Sequence, residues 1–118
     1  IETGGSVDIS PVDPRVILIY DIKCPDSGMA DKNRWDNISL LKSIDEVKFV
    51  VGSRGDYEWS RGILEQYKLP DRHQVLFSPV FGKLEPGQLA TWLLEDGLDA
   101  RLQIQLHKLL WGAEARGV

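Results

Sequence analysis

The residues able to do chemistry gather at two places in this chain. Asp21 and Lys23 stand two apart at the end of the apolar run that starts at Val16, and Gln103, Gln105 and His107 stand two apart along Arg101 to His107. A spacing of two puts side chains on one face of a strand. The first pair offers a carboxylate and an ammonium, and the second set offers two amides and an imidazole. Both suit a polar ligand held by hydrogen bonds and charge. Charged groups that appear only at the C-terminal end of a buried strand stand where α/β sheets and barrels bind their ligands. A strand end meeting solvent, or an edge strand with one wet face, would show the same residues. From these residues alone both readings stay open.

Other chemistry is weaker. Cys24 is the single cysteine, where an iron–sulfur cluster needs several, and with His73 and His107 it makes no zinc-ligand spacing. Gly52-Ser53-Arg54-Gly55 lacks the spacing of a P-loop or dinucleotide fingerprint. The four tryptophans fall at core positions of helices and strands and read as packing. Lys48 sits inside the apolar Glu46 to Val50, where a lysine either snorkels along the sheet to a strand end or pairs with a carboxylate such as Asp21, and it reads as structural.

The elements that position these groups follow from the apolar pattern. A strand stub at Ile1 to Thr3 leads through a loop, Gly4 to Asp13, into a strand over Val16 to Lys23. Trp35, Ile38 and Leu41 then predict an amphipathic helix from Asp31 to Lys42, with Asp31 as its N-cap. A strand over Val47 to Val51 precedes a helix capped by Asp56, with a buried stripe of Trp59, Ile63 and Tyr67 and a stop at Pro70. Gln74 to Ser78 is a strand. A helix begins at Pro86 behind Glu85 and ends at Gly97, and a last strand runs from Arg101 to Leu106. The tail 112–118 reads as loosely held. Strand and helix alternate in steps of about 25 to 30 residues, the βαβ spacing of a parallel sheet. The fold class is α/β, with the sheet either open and doubly wound or part of a barrel.

The 118 residues are 42% hydrophobic and 27% charged, ordinary values for one α/β domain over 1–118. Fourteen basic against eighteen acidic residues leave a net charge of -4, which argues against nucleic acid and anionic membranes as partners. No apolar run approaches the roughly 20 residues of a membrane span, and the single cysteine suits the reducing cytoplasm. The chain starts at Ile1 and its one methionine is Met29, so it reads as a piece of something longer.

Six strings in order carry a resemblance: Ile1-Glu2-Thr3-Gly4-Gly5, Asp21-Ile22-Lys23-Cys24-Pro25, Asp31-Lys32-Asn33-Arg34-Trp35, Glu46-Val47-Lys48-Phe49-Val50, Leu76-Phe77-Ser78-Pro79-Val80 and Gln105-Leu106-His107-Lys108. In them the chain resembles the C-terminal half of the 7-carboxy-7-deazaguanine synthase family of radical S-adenosylmethionine enzymes. The resemblance implies the C-terminal half of a partial (β/α) barrel whose lumen is the polar face. It implies S-adenosylmethionine, a 4Fe-4S cluster and Mg2+ as cofactors of the full-length family, with the cluster cysteines outside this chain, so that the fragment alone is inert. The implied reaction converts 6-carboxy-5,6,7,8-tetrahydropterin to 7-carboxy-7-deazaguanine through a 5'-deoxyadenosyl radical. Carried over by position, Glu2, Thr3, Gly5, Asp21, Lys23 and Ser78 face S-adenosylmethionine, and Gln105, His107 and Lys108 face the pterin. Gly4 stands where a typical member has Ser or Asn, which implies a more flexible loop, and Trp111 to Val118 extends beyond where many relatives end. Two other classes remain: a non-catalytic half-barrel that binds a small ligand or pairs through its edge strand, as a homodimer would, and an activating enzyme for a glycyl radical protein.

Overall fold

Each strand pairs in parallel with its neighbour in sequence. In the computed structural model, which describes residues 2–6 and 8–104, the strands are β1 (Glu2–Gly4), β2 (Ile19–Ile22), β3 (Glu46–Val51), β4 (Gln74–Pro79) and β5 (Arg101–Leu102). They form one five-stranded sheet in the order β1-β2-β3-β4-β5, with every pairing parallel. A doubly wound sheet would reverse its order at a switch point. The sequential order found here, with crossovers between parallel strands right-handed as a rule, puts the connections on one side, which is the arrangement of a partial (β/α) barrel.

That side holds the core. Tyr20, Ile22, Val47, Phe49, Val51, Val75 and Phe77 pack against Tyr57, Ile63 and Leu64 of helix α1 (Arg54–Tyr67) and Leu89 and Leu93 of helix α2 (Pro86–Asp96). Phe49 stacks on Phe77 with ring centroids 5.3 Å apart. The opposite face carries Glu2, Asp21, Lys48, Leu76, Ser78 and Gln103, since each stands one residue out of phase with the core set.

Helix α2 has the predicted ends, Glu85 before Pro86 and Gly97 in the left-handed region at φ 58°. Helix α1 differs from expectation at both ends. Its N-cap is Ser53, whose hydroxyl accepts from Asp56 N, because Asp56 is engaged elsewhere. Its end is set by Lys68, at φ 53°, ahead of Pro70, which lies in the short 3-10 turn Leu69–Asp71. Ile63 of the predicted stripe is buried, while Trp59 and Tyr67 are partly buried.

The helix expected over Asp31 to Lys42 is instead two 3-10 segments, Ala30–Lys32 and Trp35–Leu40, with no side-chain cap from Asp31. A spacing of three in Trp35, Ile38 and Leu41 is the 3-10 period. Two asparagines also divert the backbone. Asn33 bonds Lys23 and Ala30, and Asn37 bonds Ile9 N and the Tyr20 hydroxyl. Trp35 is placed all the same, stacked on Tyr67 at 5.5 Å.

Two predicted strands are longer than those found. For Val16 to Lys23 the ladder covers Ile19–Ile22, because Leu18 N donates to the Asp45 carboxylate and Lys23 N to the Asn33 side chain. Of Arg101 to Leu106, Arg101–Leu102 are strand and one further bond, Gln103 N to Phe77 O at 2.8 Å, extends the pairing. Gln105, His107, Lys108 and the tail 112–118 lie outside the described residues.

Candidate functional site at the strand ends

A parallel sheet is stable with both faces covered, and here the helices cover one. On the other face the register aligns Gly4, Asp21, Lys48 and Leu76 as one row, and Val50 with Ser78 one pleat further on. The next residue beyond the Phe77–Leu102 pair brings Gln103 alongside Ser78. Lys48, Leu76 and Ser78 are buried.

Asp21 and Lys23 meet as the spacing predicts. Lys23 Nζ donates to Asp21 Oδ2 at 2.9 Å. Among the described residues Asp21 Oδ1 is buried with no hydrogen-bond partner, and so is Gln103 Oε1. A buried acceptor without a donor costs a few kcal/mol, about 1–3 for each group, and both of these lie on the face that no helix of the described residues covers. They suit a ligand that brings its own donors. Beside Asp21 is a cavity of about 280 Å³ at the C-terminal ends of the strands, lined by Asp21, Lys23, Cys24, Asp26, Val50 and Lys83 among others.

Lys48 does not pair with Asp21. Its ammonium crosses β2 and donates to Glu2 Oε1 at 2.8 Å. Thr3 and Gly5 fall on the helix side: Thr3 pairs in register with Tyr20, and Gly5 is buried. The backbone of Gly5 is held at both its N–H and its carbonyl. Gly5 N donates to Asp21 O (2.7 Å) and Gly5 O accepts from Arg34 N (2.7 Å) and from the Tyr20 hydroxyl (2.9 Å).

Sequence reasoning passed over two supports of the site, Asn33 and Asp56. Asn33 holds the backbone of Lys23 at both its N–H and its carbonyl, at 3.0 and 2.9 Å. Asp56, 1% exposed, accepts from Asp26 N and from Gly52 N, each at 2.9 Å. It thereby ties the loop after β2 to the loop after β3. The signal for Asp56 was its place on the buried side of an otherwise apolar stripe.

Cys24 is built to stay protonated. Ser60 Oγ donates to Asp56 O (2.8 Å), so the Cys24 thiol donates to Ser60 Oγ (3.3 Å). Burial pushes the thiol up to about 12, and the Asp56, Asp21 and Asp26 charges add to the shift. Among the described residues no group of three His, Cys, Asp or Glu side chains is placed to hold a metal ion. The single cysteine does not supply the several thiolates of an iron–sulfur cluster, while the unpartnered Asp21 acceptor fits an organic ligand with hydroxyl or ammonium donors.

The sequential all-parallel sheet order is that of a partial (β/α) barrel, with the polar strand-end face on the side opposite the helices. The chain is homologous over its full length to 7-carboxy-7-deazaguanine synthases. The one from Chlorobaculum tepidum is 43% identical, covering 100% of this chain and 55% of the relative. That of Koribacter versatilis is 40% identical, with 100% and 58% covered, and that of Clostridium acetobutylicum 34%, with 100% and 55%. The chain spans about half the length of the curated relatives it matches. No family model matches it, and no solved structure does. No helix among the described residues is long and apolar enough to cross a membrane.

Proposed function

We propose that this chain is the substrate- and cofactor-facing part of a radical S-adenosylmethionine enzyme that makes 7-carboxy-7-deazaguanine from 6-carboxy-5,6,7,8-tetrahydropterin. The observation that carries the reading is Asp21: one carboxylate oxygen held by Lys23 and the other buried and open, in a chain homologous throughout to that synthase. Asp21, Lys23 and Glu2 are the residues that would hold S-adenosylmethionine, with Thr3, Gly5 and Ser78 shaping the strand ends around it. The cofactor, when bound, supplies the radical chemistry; the protein supplies orientation and exclusion of water. Asp21 Oδ1 accepts a hydroxyl or ammonium proton, and Lys23 keeps the carboxylate aimed while its own charge faces an anionic group. Gln103 Oε1 accepts from a second ligand edge, and Gln105, His107 and Lys108 are assigned to the pterin by the family resemblance. The cluster is held by cysteines outside this chain, which has one, so the isolated chain is inert. Strand β1 is an edge of the described sheet and pairs with further barrel strands or with a second copy.

The test is anaerobic incubation of the intact, cluster-loaded protein with S-adenosylmethionine and the carboxy-pterin, followed by mass spectrometry. Formation of 7-carboxy-7-deazaguanine supports the reading, and an intact protein that cleaves S-adenosylmethionine but leaves the pterin unchanged removes it. Lys23→Ala is expected to weaken S-adenosylmethionine binding with little effect on the pterin, and His107→Ala the reverse. Equal losses of both ligands in both variants would contradict the division of roles.

A further inference from the structure

Lys48 is 3% exposed, and its ammonium reaches over β2 to a glutamate on β1 that is 54% exposed on its side chain. As a stabilising device this is poor. A buried lysine loses hydration that a half-solvated carboxylate restores only in part, and an apolar residue of similar volume commonly does as well or better. Leu76, the register neighbour of Lys48 on β4, shows that the face accepts apolar side chains. The pair does something else well. It takes one oxygen of Glu2 and fixes the carboxylate of a long, rotamer-rich side chain on an edge strand, while Glu2 Oε2 takes part in no described hydrogen bond.

The same arrangement recurs one strand away. Asp21 gives Oδ2 to Lys23 and leaves Oδ1 open. Gly4 pairs in register with Asp21 on the same face, and nothing lies within 4 Å of where its Cβ would be. Two carboxylates, each with one oxygen pinned by a lysine and one free, therefore flank an open patch of backbone.

We propose that Lys48 is a positioning residue that acts through Glu2, holding its free oxygen beside that of Asp21 so that together they receive the hydrogen-bond donors of S-adenosylmethionine. This rests on the function proposed above. In the intact protein, isothermal titration with S-adenosylmethionine is compared for the wild type, Lys48→Met, Lys48→Arg, Glu2→Gln and the Lys48→Met/Glu2→Gln pair, each beside its thermal midpoint. Lys48→Met is expected to raise Kd about tenfold, the scale of one misplaced hydrogen bond to a charged group, without lowering the midpoint. Lys48→Arg is expected to stay near the wild type, and the double variant to lose no more than Glu2→Gln alone. Lys48→Met binding within about twofold of the wild type, a loss that tracks a lowered midpoint, or losses that multiply in the double variant would each overturn the proposal. A wild type that binds no S-adenosylmethionine would instead overturn the function on which it rests, and this inference with it.

Discussion

A Cβ added at Gly5 would stand 2.6 Å from Asn33 Oδ1 and 2.9 Å from the Asp21 carbonyl oxygen. Neither atom is free to retreat. Asn33 Oδ1 is the acceptor for Lys23 N, and the Asp21 carbonyl accepts from Gly5 itself. The requirement for glycine is therefore one of space. Gly5→Ala in the intact protein is expected to lose about 1–3 kcal/mol in urea unfolding, the usual cost of overpacking, and to displace Lys23 with Asn33. Gly4→Ala, where the space is open, is the control and should change stability little. Equal stability of both variants would remove Gly5 as a fixed point of the site.

Asp56 joins two loops that the sequence separates by 26 residues or more, through bonds to Asp26 N and Gly52 N. Removing the carboxylate leaves both part-buried donors without their acceptor. Asp56→Ala is expected to cost about 2–4 kcal/mol, the range for two charge-assisted bonds in a buried place. Asp56→Asn should recover part of that, since its amide oxygen serves one donor while its NH2 opposes the other. Hydrogen exchange at Asp26 and Gly52 measures the clamp directly: faster exchange at both amides in Asp56→Ala is the expected result, and unchanged protection would refute it.

The alternating faces of the sheet were legible in the sequence because period two needs no partner to be seen. Asp21 with Lys23 was read as a pair from spacing alone, and helix α2 from its Pro and Gly punctuation. What escaped is what depends on distant chain. Glu2 and Lys48 are 46 residues apart, and only the parallel register brings β1 and β3 to either side of β2. Strand β2 is shorter than its apolar run because Asp45 and Asn33, from other parts of the chain, take the amides at its ends. The Trp35 segment was taken for an α-helix although its apolar residues repeat at three, a period that the two asparagine side chains then enforce. Asp56 looked like a cap because Asp is a common cap, and its tertiary partners left that task to Ser53.

Asp45 gives the fold a dependence on acid. It is buried, accepting from Leu18 N at one oxygen and from Lys42 N and Nζ at the other. Burial alone would raise its carboxyl, but the bonds from Leu18 and Lys42 outweigh it and hold the group below its ordinary value. A carboxyl lowered in the folded state contributes stability above its unfolded value, near pH 4, and loses that contribution as pH falls through the folded value. The stability gap between the wild type and Asp45→Asn is therefore expected at about 1–3 kcal/mol at neutral pH. It should narrow below about pH 4. A gap that stays constant down to about pH 3 would assign the loss to packing.

Cys24 makes the opposite prediction, inertness. Its thiol is pushed up to about 12, so at pH 8 the thiolate fraction is on the order of one in ten thousand, and the thiolate is the reactive form. The side chain is also 1% exposed and bonded to Ser60, which leaves an alkylating reagent no approach to sulfur. Iodoacetamide applied to the folded intact protein should leave the Cys24 peptide unmodified in mass spectrometry, while the same reagent in guanidinium modifies it fully. Because Ser60 spends its proton on the Asp56 carbonyl, Ser60→Ala takes away the acceptor for the thiol without freeing it, and labelling should remain slow. Prompt modification of Cys24 in the folded wild type would show that the loop after β2 opens, and with it the clamp that Asp56 makes between the two strand ends.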